Sequence, residues 1–385
     1  MSRTRVSLMI AMLAALLAIS VVGVSAQDEP LRISLVVNGV LGDKSFFDSA
    51  QRGVDMVVDE YDAEVNTIEL GIEAQNWETG LADAMSDTDN YDVLIAGTFQ
   101  MIDYLAKNAH KYPDKTYIFF DAPMPYDDPA LCLEGCKNVY SITYNQNEGS
   151  FLAGVYAAAM SMQDMDGMSP DAVIGAVGGQ DIPVINDFIV GYEQGACLVS
   201  ADSQVLVQYA GSWNDPAKGK EIALAMYDQG ADVVFQVAGG TGVGVFEAAQ
   251  EQSHYAIGVD SDQASIIQET DPEQAARILT SMQKNVDASL FRAIGLYLDG
   301  ELPVGTVEGL GLDTNGVSLS INDIYSAATP QNVQDLVAAA TEAVVAGDIT
   351  VNTVFADEAS AAKVGQGCAA MPATDFDASM YLNGA

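Results

Sequence analysis

One order of short apolar runs and helical patterns occurs twice in this chain, the second copy about 140 residues after the first. Leu31–Val37 is a β-branched run of the kind that fills a buried strand, and Ala50, Gly53, Val54, Val57, Val58 and Tyr61 then recur at helical spacing. Further strand runs at 65–70, 91–95 and 116–120 alternate with helical patterns at 79–85 and 101–110. The second copy reads as strands at 171–177, 204–209, 231–237 and 254–259, with helices at 186–199, 217–229 and 243–252. Asp92-Val93 recurs as Asp232-Val233, and the acid that ends one strand run, Asp121, recurs as Asp260. Parallel strands need crossover connections, so strict strand–helix alternation predicts parallel sheets built from βαβ units. A duplicated pattern predicts two similar α/β lobes.

An open parallel sheet leaves a crevice at the carboxyl ends of its strands. Two such crevices facing one another enclose a ligand, and hinge motion opens and shuts the cleft. Polar and aromatic residues at strand ends are therefore the informative ones. Gly42-Asp43-Lys44-Ser45-Phe46-Phe47 follows the first strand. There Asp43 is suited either to accept from a ligand or to cap the next helix, and one of Phe46 and Phe47 to stack on a flat ring. Phe99 follows the third strand, in what is otherwise a plain turn. Asp121 ends the apolar Tyr117-Ile118-Phe119-Phe120 run and needs partners there, because an unpaired buried carboxylate is costly. The run 238–244 (AGGTGVG) joins a strand to a helix and lets backbone approach a ligand. It is not a dinucleotide fingerprint, since Glu247 stands at the third glycine position. Asp260 repeats the Asp121 corner, and paired carboxylates suit a ligand rich in hydroxyl donors. Lys284 is notable in a lysine-poor chain: it either neutralises a cleft acid or lies on a solvated helix.

The chain carries 15 Lys+Arg against 54 Asp+Glu, a net charge of −39. Nucleic acid is excluded as a partner, because phosphate backbones are held by clustered cations. Two distant histidines, His110 and His254, predict no metal site, and no cofactor is expected. Hydrolytic chemistry finds no Gly-x-Ser-x-Gly elbow, although Asp121 and Asp260 together are compatible with a glycosidase acid pair.

Residues 1–26 read as a secretory signal: Arg3 and Arg5, an apolar run from Val6 to Val24, then Val24-Ser25-Ala26 as a cleavage site. The run is also long enough to serve as an uncleaved anchor. The expected location is a periplasm or the extracellular face of the plasma membrane. No cysteine precedes Cys132, so no amino-terminal lipid anchor is expected. Cys132, Cys136, Cys197 and Cys368 form an even set in an oxidising compartment, compatible with two disulfides in any of three connectivities. Cys132 with Cys136 would staple a short loop, and Cys197 with Cys368 would then tie the tail to the body.

The run GDKSFFDSAQRG (42–53) resembles the aspartate-x-serine-phenylalanine-asparagine motif of the basic membrane protein (BMP) family of ABC transporter substrate-binding proteins, which includes the purine-nucleoside receptor lipoproteins. GGQDIPVINDFIVGYEQGA (178–196), YAGSWNDPAKGKEIA (209–223), GADVVFQVAGGTGVG (230–244), IGVDSDQ (257–263) and TSMQKNVD (280–287) agree in order. The resemblance implies a type I periplasmic-binding fold, two Rossmann-like lobes joined by three hinge strands. The implied boundaries are 27–145 with 262–305 for the first lobe, 146–261 with 306–355 for the second, and 356–385 as an extension. It also implies a binding protein, not an enzyme, that works as a monomer, captures a nucleoside and delivers it to a permease and its ATPase. A sugar or autoinducer is the alternative ligand, and a hydrolase using Asp121 and Asp260 the alternative function. Carried over residue by residue, Phe46 and Phe235 would stack the base, Asp121 would face it, Asp260 and Lys284 would hold the ribose, and the Gly240 backbone and Trp213 would close on the ligand. Phe47 stands where the family motif has asparagine.

Overall fold

The computed structural model describes residues 29–372 and 374–382. The expected signal segment, 1–26, lies outside the described residues. Two six-stranded sheets are present, with orders β11-β5-β4-β3-β1-β2 and β12-β10-β9-β8-β6-β7. The first contains β1 (Leu31–Val37), β2 (Ala63–Glu69), β3 (Val93–Gly97), β4 (Thr116–Phe120), β5 (Val139–Tyr144) and β11 (Thr306–Leu310). The second contains β6 (Val173–Gly178), β7 (Gln204–Tyr209), β8 (Val233–Val237), β9 (Tyr255–Val259), β10 (Ile278–Lys284) and β12 (Val317–Leu319). The registered pairs are parallel except β10 with β12, which is antiparallel. Helices cover the sheets, and central strands such as β3 and β8 are buried along their whole length, as a sheet covered on both faces requires.

The strand order of one sheet is that of the other, so the duplication predicted from the sequence extends to topology. Both lobes lie within the compact unit that begins at Arg32. The chain crosses between sheets three times: after Tyr144, after Lys284, and between Leu310 and Val317.

The lobe boundaries differ from those expected. Residues 262–284 stay with the second lobe, because β10 pairs with β9 in that sheet. Residues 306–310 belong to the first, because β11 pairs with β5. The reason lies in the repeat itself: β10 is the counterpart of β5, so each lobe keeps a fifth strand before the chain crosses. Helix Val286–Leu298 then packs on helix Phe46–Glu60, where Tyr61 and Phe291 stack with centroids 5.8 Å apart.

Helices Gln146–Ser161 and Pro183–Val199 lie unusually close. A Cβ on Gly191 would fall 2.1 Å from the Asn147 carbonyl oxygen, and one on Gly195 2.0 Å from that of Phe151. Only glycine admits this backbone approach. Cys132 pairs with Cys136 and Cys197 with Cys368, one of the three possible connectivities. Among the described residues no helix is long and apolar enough to cross a membrane.

Candidate functional site

Asp121 and Asp260 stand immediately after β4 and β9, with φ of 68° and 63°. Aspartate is among the few residues that tolerate this left-handed conformation. Each backbone N–H still donates across the sheet, Asp121 to the Ile142 carbonyl and Asp260 to that of Met282, both at 2.8 Å. The turn releases each carboxylate from its strand at the crevice, in the same way in both lobes.

Lys284, the last residue of β10, meets Asp121 across the cleft, with Nζ 2.6 Å from Oδ1. The side chains are only 3% and 11% exposed. The ammonium also lies 4.8 Å from the Phe188 ring centroid, 5.5 Å from that of Phe46 and 5.6 Å from that of Tyr144, within cation–π range of three aromatic faces. The solvated-helix alternative for Lys284 is thereby overturned: it is a buried strand end.

Asp260 accepts from the Ser45 hydroxyl of the opposite lobe at 2.7 Å. Burial pushes its carboxyl up to about 6, against the Lys284 ammonium and the Ser45 hydroxyl, which favour the charged form; the Asp43 and Asp121 charges add to the rise. Asp43 is occupied by its own loop, accepting from the backbone N–H of Ser45, Phe47 and Asp48 at 2.9, 3.0 and 3.2 Å. Of its two sequence readings, the capping one describes these bonds. Burial raises its pKa, and those N–H groups oppose the rise.

These groups surround one cavity of about 500 Å³ between the lobes. Asp43, Phe46, Phe47, Phe99, Asp121, Trp213, Gly240, Asp260 and Lys284 all line it. Phe99 lies 40% exposed. Phe47 packs edge-on to Phe46, centroids 5.3 Å apart, and a Cβ on Gly39 would collide with its ring. Gly179 makes room for Trp213 in the same way, since a Cβ there would sit 2.2 Å from the indole.

Phe235 is the exception. It is fully buried within β8, packs 5.1 Å from the Tyr192 ring and 6.5 Å from that of Phe188, and does not line the cavity. Phe188 is the ring that reaches it. The repeat contains the signal for this: Phe46 opens the helix after β1, and Phe188 lies in the helix after β6, 142 residues on. Trp77 was likewise missed. It follows β2 as Trp213 follows β7, so both of the chain's two tryptophans line the cavity. Asn38, Thr98, Gln100, Gln180 and Asn214 add polar lining. Among the described residues no group of three or more His, Cys, Asp or Glu side chains is placed to hold a metal ion.

A largely apolar cavity with aromatic rings from both lobes and a few convergent charged groups, set between the facing carboxyl edges of two matched sheets, defines a two-lobed ligand-binding protein. Residues 31–346 match the family model described as ABC transporter substrate-binding protein PnrA-like. The chain is 33% identical over 276 residues to the ABC transporter nucleoside-binding protein BmpA of Lactococcus lactis subsp. cremoris (strain MG1363), covering 69% of this chain and 72% of that one. It is 31% identical over 301 residues to basic membrane protein D of Borreliella burgdorferi (strain JD1), covering 77% and 81%. A solute-binding protein of an ABC transporter system from Aeropyrum pernix K1 has the same fold, with TM-score 0.74, 25% identity and coverage of 88% of this chain and 98% of that one. The chain belongs to the PnrA-like, or basic membrane protein, family of ABC transporter substrate-binding proteins. Its fold is the type I periplasmic-binding fold. The family captures substrates for a permease and its ATPase and is not a family of enzymes, so the hydrolase reading of Asp121 and Asp260 is set aside.

Proposed function

We propose that the substrate is a nucleoside, with a purine as the base. The observation that carries this reading is the setting of Lys284: aromatic rings from both lobes, Phe46 and Phe188, lie within 5.5 Å of an ammonium that is itself paired with Asp121. A flat heterocycle fits between such faces, and a pentose offers hydroxyl donors to Asp121 and Asp260 and an acceptor to Lys284. The name of the Lactococcus relative supports the same ligand class. Trp213, the Gly240 backbone and Phe47 close on the base, with Phe47 giving an apolar edge where the family motif has a polar one.

Closure of the lobes excludes water from the base and ribose, and the closed form is the one that docks on the permease. The protein acts as an exported monomer on the outer side of the cytoplasmic membrane. Titration calorimetry with purine and pyrimidine nucleosides, free bases, ribose and other sugars tests the reading. Saturable heat with nucleosides, and weaker or none with the pentose alone, is expected. Binding of sugars with none of the nucleosides would overturn it.

A further inference from the structure

The segment from Thr350 to Cys368 lies beyond the stretch shared with the family, which ends at 346. It is nevertheless fastened repeatedly to one helix. Gln194 donates from Nε2 to the Thr350 carbonyl at 2.9 Å and accepts at Oε1 from the Asn352 N–H at 2.7 Å. Both Glu193 carboxylate oxygens accept from the Gly365 N–H, at 2.9 and 3.0 Å. The Cys197–Cys368 disulfide closes the far end.

At the near end stands Asp187, 1% exposed. Its Oδ1 accepts from the Thr353 hydroxyl at 2.6 Å and the Val354 N–H at 3.0 Å, while Oδ2 accepts from Gln146 Nε2 at 2.6 Å. Gln146 opens the helix that follows the first crossing between lobes. Asp187 therefore ties together the crossing, the tail segment and the helix Pro183–Val199. That helix carries Ile185 and Phe188 into the cavity, and Phe188 is the very next residue.

We propose that 350–368 is a strap that sets the position of helix Pro183–Val199, and so of Phe188, with Asp187 as the positioning residue at its cavity end. The ligand side of this proposal rests on the nucleoside reading above; the mechanical side does not. Neither the disulfide nor any of the Asp187 bonds above reaches the cavity. The strap acts through the helix: glycine-mediated contact with helix Gln146–Ser161 leaves little room for side-chain readjustment, so a shift of the backbone moves the ring. The strap also returns to the first helix beyond the crossing, where Asn147 Nδ2 donates to the Asn352 carbonyl at 3.0 Å.

The test uses the full chain with two alterations made separately: Cys197→Ser with Cys368→Ser, and Asp187→Asn. Each is also made in a Phe188→Ala background. Inosine and adenosine are titrated by calorimetry, and amide hydrogen exchange is followed in the ligand-free protein. Either alteration is expected to weaken nucleoside binding roughly tenfold when Phe188 is present and to add no loss when it is absent, which is the signature of one residue acting through another. Exchange at 184–188 is expected to quicken in both altered chains.

Equal losses in both backgrounds would overturn the proposal, as would faster exchange confined to 350–372. If the parent chain binds neither inosine nor adenosine, the nucleoside reading fails, and exchange at 184–188 still decides the strap. If the serine pair does not fold, Asp187→Asn, which keeps the disulfide and the side-chain shape, supplies the same comparison.

Discussion

Lys284 Nζ lies 2.6 Å from Asp121 Oδ1, and this ion pair joins the end of β10 in the second sheet to the end of β4 in the first. Both residues are nearly sealed from water. Removing one partner of such a pair strands the other charge, which costs about 3–5 kcal/mol, whereas replacing both by apolar groups is often close to neutral. Lys284→Met should therefore lower stability by about that amount, and Lys284→Met with Asp121→Asn, which removes both charges and still tolerates the left-handed backbone at 121, should recover part of the loss. Denaturant unfolding at constant pH measures both. A single variant as stable as the parent would mean that the pair does not persist in solution.

Phe188 and Phe235 are neighbours with opposite expected phenotypes. Phe188→Ala should weaken nucleoside binding by about 1–3 kcal/mol, the usual worth of a base on an aromatic face. Phe235→Ala opens a hole beside fully buried β8 and should cost about 3–5 kcal/mol of stability, with the smaller effect on affinity. Calorimetry and thermal melting on the two variants separate the roles. Reversal of the pattern would restore Phe235 to the site.

Burial holds the Asp260 carboxyl at about 6, above the ordinary value near 3.9. A folded-state pKa above the unfolded one means that the folded chain binds the proton more tightly. The stability from this group is fully present below about pH 4 and is lost as the pH rises through about 6. Ligand binding runs the other way, because the charged carboxylate is much the stronger acceptor for hydroxyl donors. Nucleoside affinity should fall as the pH drops below about 6, and Asp260→Asn should flatten that part of the profile while weakening binding at neutral pH. Calorimetry between pH 5 and 8 checks this, and a parent profile that is flat would contradict the assignment.

A net charge of −39 on one folded chain is a large self-repulsion. Salt screens charges separated by more than about 10 Å at 0.1 M and about 3 Å at 1 M. The melting temperature should rise steadily as sodium chloride increases from 10 mM to 1 M, before ligand is added. A melting temperature that falls over this range would show that attractive ion pairs, not net repulsion, dominate the surface.

Several features were readable in the order of residues alone. Alternating strand and helix patterns, met twice, determined two matched α/β lobes. An acid closing an apolar strand, met twice at Asp121 and Asp260, located the two halves of the cleft, since such a residue has few other places to go. The cysteine count allowed the pairing that ties Cys197 to Cys368. Phe46 and Gly240 were legible because they follow β1 and β8 closely, where sequence position and spatial position coincide, whereas Trp213 came from the resemblance to the family.

What the chain's order left open was settled by packing across distance. A strand covered on both faces is apolar throughout, so nothing local tells which way Phe235 points, and it faces the core while Phe188 takes the cavity. Which sheet receives β10, and therefore that Lys284 meets Asp121, depends on pairing with β9. The strap is bound by partners 150 or more residues away in sequence, and no spacing rule links Asp187 to Thr353. Periodicity records only whether a side chain is buried along its own element; a cavity exists only once two elements face each other.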